Sequence, residues 1–226
     1  MMVKLTSGNN VNTAPQVVNQ ALIPQLLIPC ESSYQGGSSH HFPDRDAIMA
    51  RRTVENVRIA EEFKNAISIA ERVWIIDKHL FSEDGKNPLH NQRVKKVLDW
   101  FFTSQIQTIR ILTGNHDEQE KIERDFKALE DILKESRTKI DPPINIELSF
   151  SLKNFNYIHD RFAIIDDELW HFGATVGGFH RDVNAASRGW NANTHKAVQF
   201  FETVWDITNV NGKKRDEQRM AITTCL

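Results

Sequence analysis

From Asp44 onward the apolar positions fall into a helical rhythm. Ile48, Val54, Val57, Ala60, Phe63, Ile67 and Ala70 share one stripe, while Arg and Glu fill the remaining faces, which is the signature of a long amphipathic helix. That helix leads into Val73-Trp74-Ile75-Ile76-Asp77, a short unbroken apolar run of the kind found in strands buried on both faces of a parallel sheet. The sequence then repeats this alternation. Val94, Val97, Leu98, Phe101 and Phe102 predict a second helix, and Thr108 to Thr113 predicts a second buried strand, ended by Gly114 and Asn115. A charged helix is expected over Asp117 to Ser136, with Ile122, Phe126, Leu129, Ile132 and Leu133 on its apolar side and Pro142-Pro143 closing the connection behind it.

The second half carries strand patterns first. Ile144 to Ser151 alternates, and Arg161 to Ile165 and Leu169 to Phe172 read as two strands joined by a tight acidic turn, Asp166-Asp167-Glu168. Thr194 to Ile207, with Ala197, Phe200, Phe201, Val204 and Trp205, predicts a last helix. Helices that feed buried strands argue for an α/β fold, a mixed sheet flanked by helices on both faces. The expected organisation is an N-terminal arm over 1–43, one domain over 44–207 and a polar tail over 208–226. Within the arm, only the apolar island Val17 to Ile28 is expected to dock.

Composition narrows the function classes. With 40% hydrophobic and 26% charged residues in a chain of 226, the domain can bury a sizeable core without staples. A formal net charge of -2 argues against coating nucleic acid through bulk charge and leaves phosphate binding to a local site. Cys30 and Cys225, the two cysteines, are too few for a disulfide framework and lack metal-ligand spacing. Neither a signal peptide nor a membrane span is read from the sequence, so a soluble cytoplasmic protein is the expectation.

His159 and Arg161 are two residues apart, so on a strand they would share a face and bring an imidazole and a guanidinium to one phosphate. A neutral imidazole can attack phosphorus, and a planar guanidinium can hold two nonbridging oxygens as charge builds. The full stretch, His159-Asp160-Arg161-Phe162-Ala163-Ile164-Ile165-Asp166 followed after six residues by Gly173, reads H-x-R-x4-D-x6-G. It resembles the signature of the phospholipase D superfamily, H-x-K-x4-D and then, six residues on, a Gly-Ser-x-Asn segment. The likeness extends more weakly over roughly Asp44 to Ile207. It departs in two places: Arg161 stands for the usual Lys, and Ala174-Thr175-Val176 stands for Ser-x-Asn.

The resemblance implies a phospholipase D-like α/β sandwich and a phosphodiesterase that needs neither metal nor other cofactor. His159 would form a phosphohistidine, and Arg161 and Asp166 would complete the catalytic set. Single-motif members of the family typically pair, so a homodimer would supply the second His159 as general acid. Thr175 or Asn184 would take over contacts of the missing Ser-x-Asn, and Ser187 and Arg188 are further candidates for substrate binding. Nucleic acid is the first substrate expected, DNA or RNA cleaved by a nuclease. The alternative is a catalytically silent module that binds phosphate groups of nucleic acid or anionic lipid, or a protein partner.

Several of these residues also have purely structural readings. Asp166 suits a β-turn; Gly173, Gly177 and Gly178 suit tight turns; and Asn184 to Trp190 reads equally as a capped loop with a packed Trp or as a phosphate and base contact. His79, His116 and Asp117 follow predicted strands but offer no H-x-x-x-H or H-x-H spacing, and Asp117 fits a helix N-cap. No metal site is expected. The carboxylate that should orient His159 has no evident candidate, since Asp182 is the only one between Glu168 and Glu202.

Overall fold

The apolar run around Val73 becomes the middle of a seven-stranded sheet. A computed structural model describes residues 22–27, 45, 49, 57–82, 90–103, 105–138, 141–155, 157–179 and 184–209. In chain order they form β1 (Gln25–Leu27), α1 (Val57–Ser68), β2 (Arg72–Asp77), α2 (His90–Leu98), β3 (Thr108–Thr113), α3 (Gln119–Glu135), β4 (Asn145–Ser149), a 3-10 turn (Leu152–Asn154), β5 (Arg161–Ile165), β6 (Glu168–Phe172), β7 (Ala186–Asn191) and α4 (197–209). The strand order is β1-β7-β6-β5-β2-β3-β4. β2, β3 and β4 run parallel, whereas β5, β6, β7 and β1 add on as successive antiparallel neighbours. The expected mixed α/β class is what the chain adopts.

Side-chain alternation gives the sheet two apolar faces. Val73, Ile75, Ile109, Ile111, Ala163 and Ile165 face one way and join α1, α2 and α3 through Ile59, Phe63, Val97, Phe126 and Leu129. Trp74, Ile76, Leu112 and Ile164 face the other way and meet Ala197, Phe201 and Val204 of α4. A sheet covered on both sides explains why its central strands are unbroken apolar runs. Phe63 anchors the larger core: fully buried, it meets Trp100, Trp170 and Phe172 edge-on at ring separations of 5.1, 5.3 and 5.1 Å, a geometry that aligns ring edges with π faces.

Some expectations need correction. Ile59, not Ala60, completes the buried stripe of α1. The second helix ends at Leu98, so Phe101 is buried from the turn that follows and Phe102 is exposed. Ile132 of α3 points to solvent, and the N-cap position of that helix is Glu118 rather than Asp117, without a side-chain hydrogen bond to the first turn. The segment Asn184 to Trp190, read as a capped loop or as a phosphate and base contact, contributes most of strand β7 (Ala186–Asn191), and the docking island of the arm supplies β1 on its outer edge. Gly189 makes that docking possible: its φ is 90°, and a Cβ there would lie 2.0 Å from the carbonyl oxygen of Ile23. Cys30, Cys225 and Asp182 lie outside the described residues.

Truncating Phe63 removes the hub of three aromatic contacts from a site with no solvent access. Phe63→Ala should lower the unfolding free energy by about 3 to 5 kcal/mol, read as a shifted denaturation midpoint with an unchanged slope.

Candidate phosphate-binding rim

One end of the sheet gathers the C-terminal ends of β2, β3, β4 and β6 and the first residues of β5 and β7. In α/β folds ligands collect at the C-terminal ends of parallel strands, where loops are free to diverge. Pairing registers set the residues of this rim side by side. Thr113 pairs with Asp77. One step beyond the Ile76–Phe162 pair, Asp77 faces Arg161, and Arg161 pairs with Phe172, which pairs with Ala186.

Asp77 is the buried charge of this rim, with 0% exposure. Its Oδ1 accepts the His79 backbone N–H at 2.7 Å and its Oδ2 accepts the Val176 N–H at 2.8 Å, while its backbone carbonyl accepts the Thr113 hydroxyl at 2.7 Å. The carboxylate thus ties the turn after β2 to the loop after β6. Arg161 approaches it from β5, Nε to Oδ1 at 3.6 Å, with its side chain 21% exposed. That separation is an ion pair but too long for a hydrogen bond. Burial dominates the titration of Asp77 and pushes its pKa up from 3.8 to about 6, against the lowering effects of the two backbone N–H groups, Arg161 and Arg93.

The motif residues are less convergent than their spacing suggests. His159 precedes β5 instead of lying on it, is exposed, and has no hydrogen bond to its imidazole among the described residues. Shared-strand geometry therefore does not align it with Arg161. Asp166 is at the far end of β5, roughly 16 Å along the strand from Arg161 at 3.3 Å per residue. There its Oδ1 accepts the backbone N–H groups of Glu71 at 3.1 Å and Arg72 at 2.8 Å. It occupies the turn with φ 50°, which Asp tolerates better than most residues. Its part is to close the β5–β6 hairpin onto β2.

The candidate binding residues divide in the same way. Thr175 and Asn184 belong to the rim but are buried, at 3% and 9% exposure. Gly173 brings the Asn184 segment close: a Cβ on it would lie 3.2 Å from the Ala185 carbonyl and 3.9 Å from the Asn184 Cβ. Ser187 is on β7, paired with His171 and Leu26. Arg188 is committed elsewhere. Its Nε and Nη2 donate to the two oxygens of Glu168 at 2.8 and 2.9 Å, Nη1 reaches Glu62 at 3.3 Å, and the guanidinium stacks over Trp170 at 4.3 Å. This fork holds β7, β6 and α1 together and leaves little for a ligand.

Sequence reasoning missed Asp77, which it read only as the end of a strand. The available signal was a lone carboxylate terminating an otherwise apolar buried run. Among the described residues no group of three or more His, Cys, Asp or Glu is arranged to hold a metal ion, and no helix is long and apolar enough to cross a membrane.

Comparison with known proteins adds little to this geometry. No protein-family profile and no curated protein matches the chain. Among solved structures it is similar to TrmBL2, an archaeal chromatin protein whose structure is described as showing a novel mode of DNA binding. The identity is 11%, the TM-score is 0.37, and the match covers 66% of this chain and 49% of TrmBL2. The chain thus spans about half the length of that protein, and a likeness of this degree carries no argument about function.

The raised pKa of Asp77 has a sign for stability. Because the folded value of about 6 exceeds the ordinary 3.8, the native state holds a proton that the unfolded chain releases. Stability is fully present below the ordinary value and is lost as pH rises through about 6, by about 3 kcal/mol in total. Chemical denaturation at a series of pH values between 4 and 7 should show this fall, and Asp77→Asn should flatten that part of the profile.

Proposed function

We propose that the chain is a metal-independent phosphodiesterase of phospholipase D-like design, acting on nucleic acid, with an active site completed by a second copy of itself. The observation that carries the proposal is the rim position of the H-x-R pair. His159 is open to solvent two residues before Arg161, whose guanidinium reaches the surface at the end of the sheet. The spacing H-x-R-x4-D-x6-G supports the same reading, and so does the seven-stranded mixed sheet covered on both faces.

In this reaction Arg161 holds nonbridging oxygens of the scissile phosphodiester, and a ring nitrogen of neutral His159 attacks phosphorus. A P–N bond forms, the P–O bond to the leaving alkoxide breaks, and the imidazolium of His159 of the partner subunit gives that alkoxide a proton and becomes neutral. Water then attacks the phosphohistidine, the partner's His159 takes the proton back, and the P–N bond breaks to release a phosphate monoester. Tyr157, 82% exposed and two residues before His159, offers a face on which a nucleobase can stack. Asp166 serves the fold of the motif rather than its chemistry.

A second reading has one observation in its favour. The segment that replaces Ser-x-Asn turns inward: Ala174, Thr175 and Val176 are all buried, and the Val176 N–H is already given to Asp77. A silent module would keep Arg161 as a phosphate receptor without turning over.

Hydrolysis of a generic phosphodiester and of single- and double-stranded DNA, with excess EDTA, separates the two. The enzyme should cleave in EDTA, accumulate an acid-labile phosphoprotein, and lose both properties in His159→Ala. It should also sediment at twice the chain mass. Equal rates for wild type and His159→Ala from folded protein would rule the enzyme out and leave the binding module.

A further inference from the structure

We infer that Asp77 is the counter-charge of the phosphate clamp: it faces the Nε edge of Arg161, leaves the rest of the guanidinium to an anion at the rim, and sets how much of that positive charge the anion meets. The inference rests on the proposed function only in taking Arg161 as the group that meets phosphate.

The geometry has three parts. Asp77 is tethered, because both carboxylate oxygens accept backbone N–H groups, from His79 and from Val176. Nε is the nitrogen of Arg161 that is sealed from solvent, and it faces this fixed carboxylate at 3.6 Å without a hydrogen bond. Among the described residues Asp77 is the ion-pair partner of Arg161, and the exposed fifth of the side chain leads outward. A guanidinium can face a carboxylate with one edge and an anion with another, since its five donors are spread around a rigid plane. A lysine ammonium is a single point charge and would have to divide itself between the two. Asp77 therefore gives a physical reason for arginine at position 161.

The same pairing makes anion binding depend on the proton of Asp77. Arg161 from β5 and Arg93 from α2 are the cations that act on the carboxylate, and the turn carrying His79 covers it. With Asp77 ionised, part of the positive field of Arg161 is already compensated. With Asp77 protonated, the full charge is available to the anion. Affinity for an anion of constant charge should then fall as pH rises through about 6, and the bound anion should in turn raise the pKa of Asp77.

Sulfate is a suitable probe because it remains a dianion across the range, and a His159→Ala background removes the neighbouring imidazole. By calorimetry, sulfate affinity of His159→Ala should drop roughly fivefold to tenfold between pH 5 and pH 7. The drop should disappear in His159→Ala/Asp77→Asn, and binding should be lost in His159→Ala/Arg161→Ala. An unchanged pH slope after Asp77→Asn, or sulfate binding that survives Arg161→Ala, overturns the inference. If the Asp77→Asn protein does not fold, the carboxyl carbon of Asp77 followed by NMR in the wild-type chain replaces it. Its midpoint should move upward in sulfate, and an unmoved midpoint is equally decisive against the clamp. None of these readouts uses turnover, so loss of the phosphodiesterase reading and loss of the clamp are separate results.

Discussion

The carboxylate of Asp77 sits where the sheet changes character. β2 is parallel to β3 on one side and antiparallel to β5 on the other, so the C-terminal end of one strand meets the N-terminal end of its neighbour. Any loop at that junction must turn back sharply, and a sealed carboxylate there must find donors or lose its charge. It recruits the N–H of His79 from the turn after β2 and the N–H of Val176 from the loop after β6. Two loops far apart in sequence are thereby fixed to one point. Gly177, at φ 83° and packed so closely that a Cβ would lie 2.3 Å from the Trp100 ring, lets the second loop make that approach.

Two arginines show how differently one residue type can be used across a single sheet. Arg188 gives a bidentate fork to Glu168, reaches Glu62 and lies over Trp170; Glu168 in turn accepts the Trp170 indole N–H at 3.0 Å. Every partner is supplied by the protein, and the network joins β7, β6 and α1 as a strut. Arg161 has one carboxylate at ion-pair range and no hydrogen bond to it. A guanidinium that is charge-compensated but not hydrogen-bond saturated retains donors for a ligand. This contrast separates an arginine whose donors are all taken by the protein from one whose donors are not.

Periodicity made the buried strands legible. Thr108–Thr113 and Arg161–Ile165 were bounded as the structure has them, because a strand covered on both faces leaves an apolar run that few other environments produce. β7 left no such trace: ASRGWN mixes small, polar and aromatic residues, and its burial comes from a fork of charges and from the pairing of β1 alongside it, with Ile23 and Pro24 lying against Gly189, both set by tertiary contacts. The site was legible as a spacing but not as a geometry. Two-residue spacing places side chains together only where the strand continues, and β5 begins at Arg161. His159 is thus freed from the strand register, while Asp166 is carried to the other end. Asp77 was hidden because a carboxylate ending an apolar run is ambiguous until the neighbouring strand is known.

The exposure of His159 constrains the proposed chemistry as much as its presence does. An imidazole becomes an effective nucleophile when one nitrogen is held as donor and the other is aimed at the reacting atom. Among the described residues nothing holds His159 in this way, since Asp160 faces His171 at 3.8 Å and Asp77 is spent on backbone donors and Arg161. On the reading proposed above, a single copy therefore lacks both the orienting contact and the general acid. Both must come from outside the described surface, and a second copy meeting this one at the rim is the economical source, because a two-fold axis there would complete two half-sites at once. Pairing and turnover then become one hypothesis, while the clamp formed by Asp77 and Arg161 lies wholly within one copy and stands independently of it.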